Sequence, residues 1–474
     1  MQRMFLPIFL IAGLLPAWPQ ESGSISFKGA QVFYEFGNIV KGVELAEDTL
    51  DNIWAQRFGG SFDIKASRGE HLSLYLGAGS IFWHAIPEIA VQSASQVFYG
   101  DAILTKAFTQ FNFGDGERPA AVGKLGFFPV KYGYSRNLGE YLFRTGTYPS
   151  FLITGNGFTA VNINSQAVLG TQWTHNITNT LSHDLFITSE RNTYPLHDFS
   201  ISYLAKYTGG LVKLGLGIQF DRLIPVRPSS TTPSAEKNTT FIYQGRNLAN
   251  NPEFYTARLA GATRLHLPAD SAQAAADKAL VDSLRAAWVA DPASKPEMTK
   301  ITFKGIKPLA LAALDFKSLF GSSVFRGDEM VLYSEAVLMG IENQPVYYEN
   351  RNDRIAVMAG FNLPTFGLLD NLNVEMERLT AKYVNGYRTA REGKLPLPDY
   401  YYNVIGGYHP DDWKGDDIKW SVFLGKTIMN GFQVQAQVAN DHLRGRRHTR
   451  VVSENSILID DDNWYYFIKF QASI

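Results

Sequence analysis

The sequence predicts an all-β chain: a transmembrane antiparallel up-and-down β-barrel of about 16 strands, with long external loops and one helical loop insertion. Three observations predict it. Two-residue alternation recurs along the chain. The alternating segments run about ten to fifteen residues, which suits tilted membrane strands of about 9 to 11 residues better than globular strands of about 5 to 6. The connections between them divide by parity into a short set and a long set.

Alternation matters because successive side chains of a strand point to opposite faces. Phe58, Gly60, Phe62, Ile64 and Ala66 alternate with Arg57, Gly59, Ser61, Asp63, Lys65 and Ser67. Leu72, Leu74, Leu76 and Ala78 follow the tight Arg68-Gly69-Glu70 turn. Val212, Leu214, Leu216, Ile218 and Phe220 alternate with Lys213, Gly215, Gly217, Gln219 and Asp221. Ile355, Val357, Ala359, Phe361 and Leu363 repeat the pattern, as do Ile418, Trp420, Val422 and Leu424. Phe432, Val434, Ala436 and Val438 alternate with Gln433, Gln435, Gln437 and Ala439. Read this way, strands fall near 25–36, 55–67, 71–84, 101–113, 119–132, 161–175, 180–191, 197–207, 210–222, 299–316, 327–341, 353–363, 369–384, 416–427, 431–443 and 461–474.

The short connections are 67–71, 114–120, 176–180, 208–210, 317–326, 364–368 and 429–430. The long ones include 132–161, 222–299, 384–416 and 443–461, with 192–196 as their one short member. A soluble sandwich has no reason to sort its loops this way. An even strand count places both chain ends on the short-turn side.

Composition narrows the function classes. The 474 residues contain no cysteine, which excludes disulfides, thiolate metal sites, a cysteine nucleophile and a lipid on an N-terminal cysteine. Lysine plus arginine (44) balances aspartate plus glutamate (45), so no global basic field invites nucleic acid. Aromatic residues reach 13% beside 41 glycines, a mixture suited to bending strands whose ends meet an interface. Residues 1–20 read as an export signal peptide: Arg3 is the positive start, Phe5 to Leu15 the apolar run, and Pro16-Ala17 the small-residue end. Residues 21–474 then form a single barrel with a long insertion at about 223–299.

At the last strand Tyr466, Ile468, Phe470, Ala472 and Ile474 form an apolar series reaching the final residue, while Lys469, Gln471 and Ser473 would face water. This resembles the C-terminal assembly signal of Gram-negative outer-membrane β-barrel proteins of the porin group, whose members usually end in Phe or Trp rather than Ile. The resemblance implies a channel in the outer membrane for passive or selective diffusion of small hydrophilic solutes. It also implies contact with outer-membrane lipid and lipopolysaccharide, with the barrel-assembly machinery, and a homo-trimer. The alternative is a surface-binding barrel, an adhesin or polysaccharide-binding protein, with no open pore. Trp464, Tyr465 and Tyr466 are placed at an aromatic girdle facing the external headgroups, with core packing as the other reading.

Four segments are functional candidates. Loop 131–160 carries Lys131, Tyr132, Tyr134, Arg136, Glu140 and Arg144. Folded into the lumen, as the resemblance implies, they would form a pore constriction whose opposed charges orient polar solutes; a solvated loop with ordinary charges is the equal alternative. Arg444, Arg446, Arg447 and Arg450 make the densest positive run, equally suited to lipopolysaccharide phosphates, anion attraction or an ordinary solvated surface. Tyr400, Tyr401, Tyr402 and Trp413 suit sugar contacts, or equally girdle and loop packing. In the insertion, Asp270 is placed to cap a helix carrying Ala276, Leu280, Leu284 and Trp288, ended by Asp291-Pro292 and packed on its own loop, with a cap over the pore or a partner-docking arm as the other readings.

No catalytic residue, metal or cofactor is expected. Asp460-Asp461-Asp462 lacks the spaced ligands of a calcium loop. On a strand, His197 and Phe199 would share one face and Asp198 and Ser200 the other, so that group cannot converge on a hydrolase site.

Overall fold

The computed structural model describes residues 23–39, 43–45, 48–50, 53–86, 99–114, 119–144, 167–189, 198–224, 240–243, 246–247, 286, 290–291, 299–301, 305–320, 325, 327–341, 351–378, 418–440 and 464–474. Each alternating segment of the sequence is a strand. They are β1 (Gly23–Ile39), β2 (Ile53–Arg68), β3 (Leu72–Ile86), β4 (Tyr99–Phe113), β5 (Ala121–Pro129), β6 (Ala167–Asn176), β7 (Leu181–Ser189) and β8 (Phe199–Gly209). They continue as β9 (Val212–Ile224), β10 (Gly305–Asp315), β11 (Val331–Leu338), β12 (Ile355–Asn362), β13 (Asn371–Arg378), β14 (Ile418–Met429), β15 (Phe432–Ala439) and β16 (Tyr465–Ser473).

Each strand pairs antiparallel with its sequence neighbours, and β1 closes the ring on β16 with Gln31 opposite Ser473 and Ile39 opposite Tyr465. An up-and-down ring can close antiparallel only with an even number of strands, and this one has sixteen. Closure leaves no unpaired sheet edge, which is what a chain surrounded by lipid requires. At the seam the backbone ladder extends past the strand end, Ala30 and Ile474 exchanging N–H to carbonyl bonds of 3.0 and 2.9 Å.

The two faces separate as the alternation demands. Outward positions carry exposed Phe58, Phe62, Leu74, Leu76, Leu214, Leu216, Val357 and Met376. Their inward neighbours include buried Glu35, Arg57, Asp184, Gln219, Glu335, Glu375 and Lys419. The inner face is not uniformly polar. Inward Phe108 (β4), Phe128 (β5), Phe186 (β7), Leu204 (β8), Leu309 (β10), Val337 (β11) and Met358 (β12) belong to one apolar cluster within the ring. An apolar patch on the inner wall needs a cover, and the segment after β5 supplies it.

Three details depart from the sequence reading. Thr299–Ile301 does not extend β10; it pairs with Thr240–Tyr243, which also pairs with Arg246–Asn247, so the insertion has a small sheet of its own. Strand β5 stops at Pro129, whose ring nitrogen has no hydrogen to donate to a ladder. Tyr465 belongs to no outer girdle. It is fully buried on the inward parity of Phe467 and Lys469, its ring 5.2 Å from that of Phe467. Trp464 and Tyr466 keep the neighbouring position, 6.5 Å apart. The short turns fall where parity places them, the longest of them containing the one-turn helix α2 (Lys317–Phe320). Residues 1–22 and the insertion residues Ala276, Leu280, Leu284 and Trp288 lie outside the described residues.

Candidate functional site

After Pro129 the chain turns into the ring and runs as an irregular segment to the short helix α1 (Tyr141–Arg144). Its apolar side chains drive this. Val130, Leu138, Tyr141, Leu142 and Phe143 are buried in the inner apolar cluster, with the Phe143 ring edge-on to Phe186 at 5.1 Å and to Tyr132 at 6.1 Å. Covering an apolar wall removes both surfaces from water, at about 25 cal/mol per Å².

Burial of an irregular segment strands its backbone N–H groups, which have no ladder to join. Three wall carboxylates receive them. Glu375 on β13 accepts from the amides of Arg136 (2.5 Å), Asn137 (2.9 Å) and Leu138 (2.9 Å). Glu377, two residues on, accepts from Gly139 at 2.9 Å. Glu335 on β11 accepts from Glu140 (2.6 Å) and Tyr141 (2.8 Å). Consecutive amides from 136 to 141 are thus all spent on carboxylates, in charge-assisted bonds stronger than neutral ones. Strand β13 stands eight strands from β5, opposite by count in a ring of sixteen, so the segment bridges the interior.

Local conformation makes the handover from Glu375 to Glu335 feasible. Gly139 and Glu140 both have positive φ, 72° and 54°. A Cβ on Gly139 would lie 2.5 Å from Met358 Cε and 3.0 Å from Glu335 Oε2, so glycine serves both the turn and the close approach. Gly360 has a related role, since a Cβ there would collide with the Tyr333 ring. Free passage over Gly360 lets the Tyr333 hydroxyl donate to Glu375 at 2.7 Å. Lys307 on β10 finishes the clamp from the other side, donating to the carbonyls of Tyr141 and Leu142 at 3.2 Å each.

Of the predicted constriction residues, the structure brings most to this clamp, in different roles. The Tyr132 hydroxyl donates to Glu335 at 2.8 Å and accepts from the Leu142 amide at 3.0 Å. Burial, with Glu335 beside it, pushes that hydroxyl well above its ordinary range and keeps it a donor. Tyr134 accepts a bond from Lys213 on β9. Arg136 is exposed, its guanidinium 5.0 Å from the Phe423 ring centre, and Lys131 is exposed as well. Glu140 is buried, and Arg144 ends α1. Arg444, Arg446, Arg447, Arg450, Tyr400, Tyr401, Tyr402 and Trp413 all lie outside the described residues.

Sequence reasoning missed the residues that organise the site: Glu335, Glu375, Glu377 and Lys307. The only available signal was an ionisable group at an inward position of an alternating strand. A second inward group is equally unannounced. At the closing seam Glu35 on β1 is ion-paired with Arg57 on β2 and lies opposite Lys469 on β16. The two cations sit over rings, Arg57 4.7 Å from the Phe467 centroid and Lys469 5.1 Å from that of Phe33.

No family model and no curated protein sequence matches the chain. Among solved structures, it is similar to a double mutant of the Rh. blastica porin at 9% identity, covering 95% of this chain and 100% of that one with a TM-score of 0.40. It is similar also to OprB of Pseudomonas putida, at 12% identity, 95% and 94% coverage and a TM-score of 0.47.

Proposed function

We propose that the chain is a porin-like channel of the outer membrane of a Gram-negative-type bacterium, delivered there by its N-terminal signal, through which small hydrophilic solutes diffuse. The observation carrying this reading is the closed sixteen-stranded ring with an apolar outside and one segment clamped across its inside. A wall apolar outside and charged inside suits a ring of lipid around a path of water. At its own depth the clamped segment fills the side of the lumen between β4 and β14, so solutes pass it along the remaining arc, from β15 through β16 to β3. Lys131 and Arg136, both exposed, are then the charges that the segment presents to the path. Lipopolysaccharide contact through the 444–450 arginines and assembly as a trimer belong to the same reading.

A second reading has one observation in its favour: the apolar cluster already occupies part of the interior, as a barrel with no open pore would require. Its long loops would then bind a surface ligand. Conductance of the purified folded protein in planar bilayers separates the two. Repeated unitary ion steps are expected, and folded protein that inserts without producing them would leave the closed barrel standing.

A further inference from the structure

The inner wall near the short turns is divided into two chemically distinct arcs. Lys65 (β2), Lys106 (β4), Lys124 (β5), Lys206 (β8) and Lys213 (β9) point inward along the first arc. Three of them meet aspartates: Lys106 lies 2.8 Å from Asp63, Lys206 2.6 Å from Asp184 and Lys213 3.6 Å from Asp315. Lys65 and Lys124 instead lie over the rings of Tyr75 and Phe128, at 5.4 and 5.8 Å. No carboxylate among the described residues is within ion-pair distance of either, so the arc carries surplus positive charge.

The second arc, from β15 to β2, offers amides and hydroxyls at the same end. Gln435 donates to Gln433, Gln471 to Gln31, and Gln31 to Ser61, each at 2.9 Å. These groups are partly exposed, whereas the ionic residues one or two rungs further in, Glu35, Arg57 and Lys469, are buried. A carboxamide has two donor hydrogens and a two-lone-pair acceptor, so each of these keeps capacity for a solute hydroxyl beyond its wall bond. By strand count β15 and β16 stand opposite β7 and β8, and the two arcs meet on β2, where Ser61 and Lys65 share the inward face.

We propose that this end of the lumen is selective for small hydroxylated monoanions, of which a carboxylated monosaccharide is the fitting class. The lysine arc takes the carboxylate and the amide arc exchanges hydrogen bonds with the hydroxyls. This rests on the channel reading, since a wall without a water path selects nothing.

Reversal potentials across a potassium chloride gradient, measured on single channels, test the charge half. The wild type prefers chloride, and Lys65→Gln and Lys124→Gln each lower the chloride-to-potassium permeability ratio about two-fold, the effect, opposite in sign on the two ions, of one charge about 8 Å from the path in water screened by about 0.1 M salt. Lys65→Arg keeps the wild-type ratio. Swelling of proteoliposomes in sodium glucuronate against glucose tests the hydroxyl half. Glucuronate enters faster than glucose, and Gln435→Leu with Gln471→Leu slows both without moving the reversal potential. Migration of each variant as a heat-modifiable folded band confirms its barrel. Unitary steps with potassium preference, or with a ratio unmoved by both lysine variants, overturn the proposal and leave the channel standing. Equal entry of the two sugars overturns it too. Complete absence of steps from folded wild-type protein removes the channel reading, and this inference with it.

Discussion

Glu375 takes up the amides of Arg136, Asn137 and Leu138 and the Tyr333 hydroxyl, so its removal touches four hydrogen bonds at once. A buried donor without an acceptor costs about 1–3 kcal/mol. Glu375→Ala is therefore expected to free the segment while leaving the ring intact. The folded protein gains a tryptic cut after Arg136 that the wild type lacks, and an unchanged digest would show that the carboxylate does not hold the segment. Gly139→Ala tests the other requirement. A left-handed backbone costs a non-glycine residue about 1–2 kcal/mol, and the new methyl also meets Met358 Cε at 2.5 Å. Adding Met358→Ala relieves the collision but not the backbone, so partial recovery of protease resistance is expected from the pair. At this scale the sequence was hard to read for a physical reason. An inward glutamate reads as one more polar wall position, and its partners in the clamped segment are 194 to 239 residues away in the chain. Tyr132 and Arg136 drew attention because they sit in a long loop; Glu335 and Glu375 were overlooked because they sit in regular strands.

At the scale of elements, alternation was sufficient to locate all sixteen strands, because each buries one face only and so prints its period in the residues. Their ends were less legible. Alternation continues past Pro129 into Val130 and Tyr132, and only the missing N–H ends the ladder there. Thr299–Ile301 shows the converse, a segment with strand composition recruited by Thr240–Tyr243 instead of by the barrel. The pairing of β1 with β16 leaves no local trace, since it joins residues from the two ends of the chain. Its ionic seam predicts a measurable dependence. Removing one partner of a buried ion pair costs about 3–5 kcal/mol, because the other charge is left without its counterion. Arg57→Ala leaves Glu35 fully buried beside Lys469 alone, and is expected to lower the unfolding free energy of the barrel by that order, read as a lower denaturant midpoint. Arg57→Lys keeps the charge and costs less. Equal midpoints for Arg57→Ala and wild type would mean that the seam is held by its backbone ladder and rings instead.

The whole molecule is a sheet turned inside out relative to a soluble domain, with large apolar side chains outside and ionic networks within. Leu216 and Ile25 are 68% and 83% exposed, values that in water would mark an aggregation hazard and in lipid mark the surface that holds the protein in place. Depth in the bilayer then decides the cost of a charge at each site. Leu216 sits in the interior of β9, whereas Ile25 lies in the first turnward residues of β1, paired with Ala66 close to the Arg68-Gly69-Glu70 turn. An arginine on the lipid face costs about 2–4 kcal/mol at the midplane and about 0–1 kcal/mol near the interface, where its long stem reaches the headgroups. Leu216→Arg is accordingly expected to destabilise the barrel by the larger amount and Ile25→Arg by the smaller, as read from denaturant unfolding in phospholipid vesicles. The ordering, not either value alone, carries the argument: a barrel standing in water would tolerate both outward arginines, and would favour them at the more exposed site. Equal tolerance of the two substitutions would remove the membrane from the account while leaving the ring, the clamp and the seam as described.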